Sequence, residues 1–87
     1  MALLYCVEEA ESIRELVSYA LRGQGYKVEG FGDAPEFYEA LQKNTPDLVL
    51  LDIMLPGEDG LTILKKIRAS GKIQEIPVIM MTAKTSE

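Results

Sequence analysis

The run Leu48-Val49-Leu50-Leu51 is apolar at every position and then breaks at a carboxylate, Asp52, ahead of a Pro56-Gly57 turn. A strand with one wet face alternates apolar and polar residues, whereas an unbroken apolar strand is covered on both faces. Helices on both faces of a parallel sheet are the architecture that provides such cover, which points to the α/β class. A strand of this kind admits a charged group only where it leaves the sheet. On its own, an aspartate there reads as a turn former or a helix cap. A second acidic site, Glu8-Glu9, closes an earlier apolar segment and changes that reading.

The rest of the chain follows the same rhythm. Leu3 to Val7 is expected to be a short buried strand. Ile13, Leu16, Val17, Ala20 and Leu21 recur at helical spacing, with Ser12 and Glu15 patterned as a capping box and Gly23 and Gly25 ending the element. Lys27 to Phe31 reads as a second strand. Asp33 caps a shorter helix with Phe37, Ala40 and Leu41 inward, and Pro46 blocks its continuation. Leu48 to Asp52 is the third strand. Leu61, Leu64 and Ile67 form the stripe of a third helix ending near Ser70-Gly71, and Pro77 opens a fourth strand over Val78 to Thr82. Strands alternating with helices imply βαβ units. With right-handed crossovers, the expected fold is flavodoxin-like, a doubly wound parallel sheet of order 2-1-3-4. The first and third strands are then neighbours, and their C-terminal ends flank the switch point where such sheets bind ligands. Glu8, Glu9, Asp52 and Thr82 all fall there.

Composition narrows the chemistry. With 87 residues the chain is at most one small domain. Its net charge of −5 lacks the basic stripe that nucleic-acid binding needs. Lys65, Lys66, Arg68 and Lys72 read as the solvated face and C-terminal end of one helix. No apolar stretch reaches membrane-spanning length, which leads to the expectation of a cytoplasmic protein. Cys6 is the only cysteine and lies within an apolar strand, and there is no histidine. Imidazole bases, disulfides and thiolate metal cages are therefore excluded, leaving carboxylates, hydroxyls, lysines and a hard cation. Carboxylates gathered without His or Cys favour Mg²⁺ or Mn²⁺. A carboxylate beside Mg²⁺ can attack phosphorus to form an acyl phosphate, with Thr82 placed to hydrogen-bond a phosphoryl oxygen.

Val7-Glu8-Glu9, Leu50 to Gly57 with Asp59-Gly60, and Pro77 to Ala83 occur in order across nearly the whole chain. Together they resemble the receiver domain of two-component response regulators, of CheY-like fold. The resemblance implies that Asp52 is the phosphoacceptor, loaded by a sensor histidine kinase. It implies Mg²⁺ held by Glu9, Asp52 and the Met54 backbone carbonyl, with Glu8 acting through water. Thr82 would be the switch hydroxyl, and small Ala83 would leave room for the phosphoryl group. Receivers that precede DNA-binding domains make transcriptional control the implied parent role, with no direct nucleic-acid contact by this segment.

Two departures from the family pattern carry expectations. The family usually has aspartate at Glu9 and often an acid at Ala10. One extra methylene carries the Glu9 carboxylate about 1.5 Å further, which is expected to weaken magnesium binding. The family also continues into a fifth strand with a lysine and a switch aromatic, then a last helix. Lys84, two residues beyond Thr82, is not that lysine. Residues 1–87 are thus expected to be a partial receiver domain lacking the fifth strand and last helices, either a fragment or a chain that self-associates through an exposed fourth-strand edge. The competing reading is a pseudo-receiver, an interaction or dimerisation module not phosphorylated effectively. A haloacid dehalogenase-type phosphohydrolase fits less well, because Met54 stands where that family has its second aspartate. In a dinucleotide-binding reading, Gly23-Gln24-Gly25 would have to follow a strand, yet it precedes one.

Overall fold

The computed structural model describes residues 2–71 and 75–81. Among the described residues, four strands and three helices alternate: β1 (Leu3–Val7), α1 (Glu11–Gly23), β2 (Lys27–Phe31), α2 (Ala34–Lys43), β3 (Leu48–Asp52), α3 (Gly60–Ala69) and β4 (Val78–Met81). The strands form one parallel sheet in the order β2-β1-β3-β4. This is the expected doubly wound order. Alternation along the strands sends side chains to two separate cores. Tyr5, Val7, Val49 and Leu51 pack with Phe37 of α2 and Ile63 and Ile67 of α3 on one face. Leu4, Cys6 and Val28 pack with Val17 and Leu21 of α1 on the other. Tyr5 is fully buried, and its hydroxyl donates to the carbonyls of Ala40 and Asn44. A polar group can sit in the core at little cost when it is bonded in this way.

Helix starts decide how each connection meets the sheet. Asp33 Oδ1 accepts from the Glu36 N–H at 3.0 Å, and Asp59 Oδ1 accepts from the Thr62 N–H at 2.8 Å, so both residues are side-chain N-caps. The start of α1 differs from the expected Ser12–Glu15 box. Its N-cap is Ala10, without a side-chain cap, and Ser12 lies inside the helix. The helix begins directly off the acidic turn, where the Ala10 carbonyl accepts from the Arg14 N–H, so the N-cap position falls on a residue whose side chain has no acceptor.

Two inward stripes also differ from expectation. On α1, Val17 and Leu21 pack inward and Ser18 is buried, while Leu16 and Ala20 are exposed. Among the described residues, the helix packs chiefly over β2 and β1. On α3, Ile63 and Ile67 are buried with Gly60, while Leu61 is exposed and Leu64 is half-buried. Gly60 packs against the end of β3 and sets that rotation. Among the described residues, no helix is long and apolar enough to cross a membrane.

Candidate acidic site at the strand ends

Register brings two carboxyl groups together. Val7 pairs with Leu51 across β1 and β3, so the next residues along, Glu8 and Asp52, stand opposite one another. Both are buried, each with 4% of its surface exposed. The Glu8 carboxyl is held above its ordinary value, first by burial and then by the neighbouring Asp52. Cys6, two residues back on the same face of β1, feels the same environment. Burial and the Glu8 carboxylate push its thiol up to about 11, which makes it an inert core residue.

Each acid is fixed by its own turn. Asp52 Oδ1 accepts from the Met54 N–H at 3.0 Å. Glu8 Oε2 accepts from the Ala10 N–H at 3.1 Å, and the Glu8 N–H donates to the Phe31 carbonyl on β2 at 2.9 Å. Arg14, which the sequence reading passed over, completes the frame. Its Nη1 donates to the Glu8 carbonyl at 2.7 Å and reaches the Glu9 carbonyl at 3.4 Å. Its stem crosses β2 where Gly30 has no side chain, since a Cβ there would lie 3.0 Å from Arg14 Cγ and Cδ. No sequence motif marks such a residue, because its partners are backbone carbonyls.

The expected site residues separate into three groups. Glu8 and Asp52 meet. Glu9 is exposed, with its backbone tied to Arg14, and Met54 is exposed with its N–H on Asp52. Thr82 and Ala83 lie outside the described residues, as does Lys84. Among the described residues, no three His, Cys, Asp or Glu side chains gather as a metal cage. Magnesium does not require one, since it commonly uses one or two carboxylates with carbonyl and water oxygens. The donor set at these strand ends is oxygen only, anionic and adjacent to the Met54 backbone, so it suits a hard cation.

Comparison with known proteins bears on this geometry. Residues 4–87 match the family model described as the response regulator receiver domain. The DNA-binding response regulator MtrA of Mycolicibacterium paratuberculosis is 38% identical over 79 residues, which cover 91% of this chain and 34% of the relative. The sensory transduction protein RegX3 of Mycolicibacterium smegmatis is 37% identical over 87 residues, covering all of this chain and 37% of the relative. The chain thus spans about a third of the length of these curated relatives. Among solved structures, the N-terminal domain of a response regulator receiver protein from Methanoculleus marisnigri JR1 superposes with a TM-score of 0.91 at 33% identity, covering 100% of this chain and 71% of that one. The chemotaxis response regulator CheY4 of Vibrio cholerae gives 0.91 at 32%, covering 99% and 72%.

Proposed function

The chain belongs to the response regulator receiver domain family, and from that premise we propose that it accepts a phosphoryl group on Asp52 from a sensor histidine kinase. The observation that carries the proposal is the buried Asp52 carboxylate at the end of β3, opposite Glu8 and oriented by the Met54 N–H. In the transfer, an Asp52 oxygen forms a bond to phosphorus as the phosphorus–nitrogen bond of a phosphoimidazole breaks. The departing imidazole nitrogen keeps the electron pair. Asp52, Glu9 and the Met54 carbonyl would hold Mg²⁺, with Glu8 reaching it through water. When bound, that ion supplies positive charge against the transferring phosphoryl oxygens. The chain's own part is to orient Asp52 and keep it from solvent, with Thr82 and Ala83 as the proposed contacts to the phosphoryl group.

The test is labelling by acetyl phosphate with Mg²⁺, read by intact mass, on wild type and Asp52→Asn. An acid-stable but hydroxylamine-labile adduct on wild type alone is expected. Labelling that persists in Asp52→Asn overturns the assignment. A wild type that takes no label at saturating Mg²⁺ favours the pseudo-receiver reading, to which the exposed Glu9 lends support. The parent role we propose is transcriptional control in the cytoplasm, on the ground that MtrA carries the description of a DNA-binding response regulator.

A further inference from the structure

The loop that joins Asp52 to α3 is fastened at its far end by residues the acceptor never touches. Near Asp52 it is held by the Met54 N–H and by the Gly60 N–H, which donates to the Ile53 carbonyl at 2.8 Å. Leu55 is buried in the core at mid-loop. Pro56 and Gly57 are then exposed, and Gly57 takes a φ of +78°. The chain is caught again at Glu58. Glu58 Oε2 accepts from the Tyr38 hydroxyl of α2 at 3.0 Å and pairs with Lys66 Nζ of α3 at 2.7 Å. Lys66 Nζ also lies 5.6 Å from the centroid of the Tyr38 ring, within cation–π range. Three elements thus converge on a single carboxylate oxygen. Lys66 and then Tyr38 hold the Glu58 carboxyl below its ordinary range, while burial and Glu58 push the Tyr38 phenol up to about 12. The cluster is therefore fully formed at neutral pH.

We propose that Tyr38, Glu58 and Lys66 are positioning residues for the acceptor, fixing the loop so that the Met54 backbone stays turned toward Asp52. The inference rests on the phosphoacceptor reading and adds α2 to the parts on which that chemistry depends. Groups that support metal ligands from outside typically change affinity about 10–100-fold when removed. The Tyr38 cluster acts one step further out, so an effect of about fivefold is expected.

The experiment uses the chain with Tyr38→Phe, Lys66→Met and Lys66→Arg. Two quantities are followed: hydrogen exchange of the Met54 and Glu58 amides, and the Mg²⁺ midpoint for acetyl phosphate labelling. Tyr38→Phe and Lys66→Met should speed loop exchange about tenfold, leave β1 and β3 amides protected, and raise the midpoint about fivefold with full final labelling. Lys66→Arg should stay close to wild type. Loop exchange and midpoint unchanged in both disruptive variants overturn the clamp while leaving the acceptor intact. If wild type takes no label, the phosphoacceptor reading fails and the clamp's role in positioning falls with it. Exchange that speeds up with an unchanged midpoint also overturns the positioning role.

Discussion

Gly57 in the loop after β3 and Gly60 at the start of α3 stand three residues apart, yet they are glycines for opposite reasons. A Cβ on Gly60 would lie 2.3 Å from the Asp52 carbonyl oxygen and 2.9 Å from Ile53 Cα, both backbone atoms that cannot step aside. Gly57 has open space around it but a φ of +78° that side-chain-bearing residues adopt at a cost. Gly57→Ala should therefore cost about 1–2 kcal/mol and leave Asp52 where it is. Gly60→Ala should cost about 3 kcal/mol or more, because the end of β3 must move to admit the methyl group. Urea unfolding of the two variants beside acetyl phosphate labelling checks the contrast. Equal losses in both would show that Gly60 is not packed against the acceptor strand. From sequence the Pro56-Gly57 pair marks a turn, whereas nothing marks the packing of Gly60, since close approach is a property of the folded backbone. The acids were legible because strand ends are marked by where apolar runs stop. Arg14 was not, because it serves carbonyls that every residue possesses.

Elements were legible where one physical signal dominated. The unbroken apolar run of β3, the cap at Asp33, and the order of the sheet all follow from local pattern and crossover handedness; the matching cap at Asp59 went unread. Inward faces were less so, as Leu16 and Ser18 show: periodicity locates an apolar stripe but not which part of it the neighbouring strands cover. Contacts between elements are the least legible of all, and the Tyr38–Glu58–Lys66 cluster joins residues from two helices and a loop. It carries a pH signature. The folded-state value of Glu58 lies below its ordinary 4.5, so the folded state holds the proton less tightly than the unfolded chain. The stabilisation is complete above that ordinary value and fades as pH falls through the lowered folded value. Glu58→Gln should destabilise the chain by about 0.5–1 kcal/mol near neutral pH, a melting shift of several degrees. The difference from wild type should close in acid. Melting curves between neutral pH and pH ~3 test this, and a gap that widens on acidification would contradict the assigned sign.

For the whole molecule the decisive feature is that the two sheet faces are unequally covered. Among the described residues, α2 and α3 pack over one face, while α1 lies over the other, toward β1 and β2. Beside α1 lies a hollow of about 370 Å³ lined by Leu4, Leu21, Tyr26, Leu48, Leu50 and Ile79, with Ile79 half-exposed. The hollow adjoins β4, which forms an edge of the described sheet. The Pro77 and Met81 carbonyls bond inward to β3, so along a parallel strand the backbone groups of Val78 and Met80 are directed outward. Unpaired strand edges beside apolar surface attract a like edge, and a two-fold related copy of the same chain offers one. The 87-residue chain is therefore expected to self-associate through β4 and this hollow. A charge of −5 on each copy opposes the approach, so association should strengthen as salt screens it. Light scattering from about 10 µM to 1 mM protein, at low and high salt, should show mass rising above the 9.7 kDa monomer. Ile79→Lys should suppress the rise by placing a charge in the hollow while leaving β3 and Asp52 unaltered. A mass fixed at the monomer value throughout that range, or association indifferent to Ile79→Lys, would remove this face as the contact.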